Sequence, residues 1–140
     1  MYITKDQKEF SDEYLEQGYI IRPVADLEAL EWISKQFIDL IKNELNIESS
    51  GNARDTFNNI NQSVSVSELN GFRLKIIQGI NKTEGFREMY FRVARQYLEI
   101  LVGNELAMQL RINLSIQLPG DSSSLLPVHA DTWSGDSAFE

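Results

Sequence analysis

His129 and Asp131 are the residues whose types and spacing best suit metal chemistry in this sequence, and His129 is its only histidine. On an extended segment, residues two apart project to the same side, so an imidazole and a carboxylate would face one point. Those groups are the first two ligands of a 2-His-1-carboxylate facial triad. The remaining positions of an octahedral iron(II) then stay open for a bidentate 2-oxo acid and for dioxygen. A structural zinc site would recruit more nitrogen or sulfur ligands, and the chain has no cysteine. A histidine bonded to a neighbouring aspartate on a loop has the same spacing, so the pair takes its meaning from its surroundings.

The residues just before it alternate. Leu110, Ile112, Leu114, Ile116 and Leu118 fall on one face and Arg111, Asn113, Ser115 and Gln117 on the other, which predicts a strand over residues 110–118. The polar face has two readings. It is a solvated outer surface, common in antiparallel sheets, or it lines a barrel interior, where amides and hydroxyls hold a polar ligand. The second fits better, because an acidic protein usually shows water Glu and Lys. Arg111 suits a ligand carboxylate or a surface ion pair. Trp133 suits a pocket wall or a half-buried packing position. Pro119 to Ser124 read as a turn by composition.

The elements that must position these residues lie upstream and read as mainly helical. Residues 10–24 give a short helix, a break at Gly18 and a β-prone Tyr19-Ile20-Ile21. Asp26 caps a helix with Leu27, Leu30, Phe37, Ile41 and Leu45 as its apolar positions, ending near Asn46. Residues 51–63 are polar and read as a loop. Ser65 and Glu68 have capping-box spacing before a stripe of Leu69, Phe72, Ile76 and Ile80. A last helix starts near Thr83, shows Phe86, Tyr90, Val93, Tyr97 and Leu101 on one face, and stops at Gly103. Helices first and strands afterwards predict a segregated α+β architecture in one domain, residues 1–140: mainly helical to 107, sheet-forming from 108.

Composition narrows the function classes. The chain has 140 residues with a net charge of −8, which repels phosphate backbones and anionic lipid and argues against nucleic-acid and membrane partners. No apolar run approaches the roughly 18 residues of a membrane span, and residues 1–9 lack the apolar core of a signal peptide. A cytoplasmic, reducing setting fits the lack of cysteine.

Three stretches together resemble a family: residues 102–109, residues 113–121 and residues 126–135, the last reading Leu-Pro-Val-His-Ala-Asp-Thr-Trp-Ser-Gly. They are similar to iron(II)/2-oxoglutarate oxygenases of the phytanoyl-CoA dioxygenase-like superfamily, closest to the sporadic carbohydrate cluster oxygenases. The helix-then-strand opening at Phe10, Gly18, Tyr19 and Ile20 is similar too. The resemblance implies N-terminal helices packed on a double-stranded β-helix (a jelly-roll, cupin-like barrel), with iron(II) on His129 and Asp131 and 2-oxoglutarate as cosubstrate. It implies hydroxylation of a carbohydrate-linked or other small polar metabolite by dioxygen, with Asn113 and Gln117 near cosubstrate or substrate and no catalytic residue beyond the metal ligands. The family's second histidine and its basic clamp for 2-oxoglutarate have no counterpart here, so the sequence reads as a truncated, N-terminal part of a longer enzyme. The alternative is a non-catalytic module that binds carbohydrate or a partner without metal. Substrate and oligomeric state stay open.

Overall fold

The computed structural model describes residues 3–47 and 53–121. Helix α1 (Lys5–Gln17) starts at Thr4, whose hydroxyl accepts from the Gln7 amide while the Gln7 side chain accepts from the Thr4 amide. This reciprocal cap satisfies two amides that a helix start leaves without partners. Helix α2 (Leu27–Leu45) is capped by Asp26, which accepts from the Ala29 amide at 2.9 Å, and it ends on Asn46 in the left-handed conformation. Helix α3 (Ala53–Asn58) leads into a 3-10 turn (Ile60–Gln62), and α4 (Leu69–Lys82) and α5 (Phe86–Val102) follow.

The core forms where α2 lies against both α4 and α5. Leu69, Phe72, Ile76 and Ile80 make the buried stripe of α4, as their spacing predicts. On α2 the buried positions are Ala29, Ile33 and Ile41, while Leu27 and Leu30 are exposed. The true stripe therefore runs in steps of four, and the sequence reading placed its first turn on the wrong side. On α5 only Phe86 is fully buried, with Met89 and Val93 partly so and Tyr90 half exposed. Phe86 sits between Trp32 and Phe37, with ring centroids 6.0 and 5.5 Å away. Helix α1 docks on α5 by stacking Phe10 on Tyr97, centroids 5.4 Å apart.

The described residues form an all-α assembly with no β-strand, which corrects the α+β jelly-roll expectation. Tyr19, Ile20 and Ile21 have no regular structure, and the polar stretch expected to be a loop holds α3 and the 3-10 turn. The correction at residues 110–118 has a clear physical cause. The predicted alternation is present: Ile112 and Leu118 are buried, Leu114 and Ile116 partly so, and Arg111, Asn113, Ser115 and Gln117 exposed. Among the described residues there is no neighbouring strand, and the backbone of this segment is held by side chains of α4 and α5 instead. Period-two burial reports that a segment has two faces; it does not report what pairs with its edges. Leu110, the first of the alternating apolar residues, is 82% exposed and lies outside the packing.

Candidate functional site

Residues 104–121 follow α5 and lead toward the His129–Asp131 pair. Three side chains hold them. Asn81, near the end of α4, accepts from the Ile112 amide at 2.8 Å and donates to the Ile112 carbonyl at 2.7 Å. Its second amide hydrogen goes to the Ile77 carbonyl at 2.8 Å, so both of its donors are used. One primary amide thus reproduces the donor–acceptor pair that a neighbouring strand residue would offer. Arg73, two helical turns earlier, donates to the Leu114 carbonyl at 3.4 Å and to Asn70. Arg87, in the first turn of α5, donates to the Met108 and Gln109 carbonyls, both at 2.9 Å.

Beyond Leu118 the chain turns. The Asp121 amide donates to the Leu118 carbonyl at 3.1 Å, with Gly120 at φ 75°. Pro119 followed by a glycine of positive φ is the signature of a type II turn. Of the residues singled out from the sequence, Arg111, Asn113, Ser115 and Gln117 come together on the exposed face of this segment. They present one cation, two amides and one hydroxyl to solvent rather than to a barrel interior. Arg111 forms no ion pair among the described residues. His129, Asp131 and Trp133 lie outside the described residues.

Sequence reasoning missed Arg73, Asn81 and Arg87. A signal for two of them was present: Arg73, Ile77 and Asn81 are spaced by four, one position round the helix from the core stripe Phe72, Ile76 and Ile80. Polar groups bordering a buried stripe face whatever packs over it.

A second feature is an open cleft of about 630 Å³ between the start of α2 and the middle of α5. Arg92 spans it, with Nε 2.8 Å from Asp26 and Nη2 3.2 Å from Glu28. The hydrogen bonds that Arg92 donates to those two carboxylates raise its pKa. Arg95 pairs with Glu99 at 2.7 Å across one turn. The cleft's charges are therefore spent on one another, and it ties α2 to α5 rather than offering an unpaired group to a ligand. Among the described residues no group of three His, Cys, Asp or Glu side chains could hold a metal ion. None of the described helices is long and apolar enough to cross a membrane. Comparison with protein-family models, with curated proteins and with solved structures finds no match to this chain.

Proposed function

We propose that this chain supplies two iron(II) ligands, His129 and Asp131, to a 2-oxoglutarate-dependent dioxygenase acting on a small polar, carbohydrate-linked metabolite. The observation that carries the reading is the His-Ala-Asp spacing close behind an anchored segment whose polar side chains share one face. The donor set fits the metal: one neutral imidazole and one carboxylate suit iron(II) and leave positions for a 2-oxo acid and dioxygen. When bound, iron(II) would let dioxygen convert 2-oxoglutarate to succinate and carbon dioxide, the second oxygen atom entering a C–H bond as a hydroxyl. With a single histidine in the chain, the second imidazole of such a triad would have to be supplied from outside this sequence. A cytoplasmic setting accompanies this reading.

The role of the described residues is to anchor. Helices α4 and α5 fix residues 108–118, so the approach to the ligand pair starts from a defined point. The exposed row of Arg111, Asn113, Ser115 and Gln117 favours a second reading, a metal-free module that binds sugar hydroxyls or a partner through that row. Turnover separates the two. In a polypeptide that joins this sequence to its second imidazole, iron(II)-dependent formation of succinate is expected and is lost in His129→Ala and in Asp131→Ala. Undiminished turnover in either variant sinks the oxygenase reading, and the 140 residues alone are expected to show none.

A further inference from the structure

Residues 104–119 behave as a strap over the helical core, and we infer that this strap is released as a unit while the helices stay folded. The inference stands on how the segment is held and does not rest on the iron assignment. Among the described residues, no backbone group of residues 104–117 bonds to another backbone group, and Leu118 bonds only to the adjoining turn. Attachment to the helices instead comes from Asn81, Arg73 and Arg87, and the Arg87 bonds are exposed to water. Helices α2, α4 and α5 hold their own backbones, and α4 rests on α2 independently of the strap.

Both ends of the strap carry a glycine in a conformation that side chains resist. Gly103 has φ 81° and ψ −162°, a region essentially reserved for glycine, and Gly120 has φ 75°. A Cβ at either would meet nothing within 4 Å, so neither glycine is there to allow close packing. They are pivots. Between them, Ile112 and Leu118 are buried in the same core cluster as Ile76 and Ile80. Release therefore uncovers the apolar stripe of α4 and frees three polar side chains beside it in one step. A segment without a backbone ladder, held by a few side-chain hydrogen bonds, opens at lower free energy than helices that bond their own backbones.

Amide hydrogen exchange on the full chain tests this. In the wild type, the Ile112 amide is expected to exchange through an opening that leaves the Ile80 amide protected. A shared opening free energy for the two amides overturns the inference. Asn81→Leu keeps the number and branching of side-chain heavy atoms and favours the helix more than asparagine does, while removing all three Asn81 bonds. Exchange at Ile112, the strap amide with a described hydrogen-bond acceptor, is expected to rise by about tenfold or more, with α2 and α5 changing less than about twofold. An equal rise everywhere shows one cooperative unit and contradicts the strap. No change at Ile112 shows that Asn81 does not hold it, which contradicts it equally.

Discussion

Asp26 does two jobs with one carboxylate. Oδ1 accepts the Ala29 amide to cap α2, and Oδ2 takes the Arg92 guanidinium from α5. The cap was legible because an aspartate before an apolar-periodic run has one common use. The Arg92 partner, 66 residues away, was not, because nothing local marks it. The backbone bond from Ala29, followed by the Arg92 hydrogen bond, holds the Asp26 carboxyl below the ordinary carboxylate range. A depressed native pKa means that the stabilisation is fully present above the ordinary value and is lost as pH falls through the lowered one. Asp26→Asn keeps a good cap and removes the titrating charge. Urea unfolding between neutral and strongly acidic pH is expected to show a shallower acid loss for Asp26→Asn than for the wild type, and superimposable pH profiles would contradict this. Glu68, lowered by hydrogen bonds from Ser65, titrates in the same direction, so part of the acid dependence remains in the variant. Ser65 and Glu68 fulfil half of their predicted box. Glu68 accepts from the Ser65 amide, but the serine hydroxyl donates to Glu68 instead of capping an α4 amide.

At the scale of elements, the clearest helix in the sequence was also the most accurately read. The α4 stripe is strictly periodic and wholly buried, so periodicity and packing agree. On α2 they part, because Leu27 and Leu30 look like core by type but are exposed, Leu27 on the wall of the open cleft facing α5. The strand assigned to residues 110–118 failed for the opposite reason: the two faces were real, and the partner was a helix side chain. The two glycines of α4 offer a direct check on packing. Gly71 has open space around it, whereas a Cβ on Gly79 would stand 2.6 Å from Cδ2 of Leu40 on α2. Gly71→Ala is expected to stabilise by about 0.5–1 kcal/mol in denaturant unfolding, the ordinary gain of alanine over glycine in a helix. Gly79→Ala is expected to fall at least about 1 kcal/mol short of Gly71→Ala, since Leu40 has to be displaced. Equal gains at both sites would mean that α2 and α4 do not meet there.

For the whole molecule, composition spoke clearly about charge and poorly about fold. A net charge of −8 accompanies a surface on which Arg22, Arg92 and Arg95 are tied to carboxylates among the described residues. Apart from α3 and the 3-10 turn, the helical scaffold was legible as far as residue 102, because amphipathic period is a local signal, while the arrangement after Gly103 depends on contacts made 21 to 41 residues away. The central claim concerns His129 and Asp131, and it can be tested on this chain without turnover. Manganese(II) has the charge of iron(II), resists oxidation in air and broadens the amide resonances of residues close to it. Titrated into labelled protein at a pH where imidazole is neutral, it is expected to broaden residues around 127–133 first, and to lose that selectivity in His129→Ala. Broadening that begins elsewhere on the acidic surface, or that is unchanged in His129→Ala, would contradict the assignment of this pair as metal ligands.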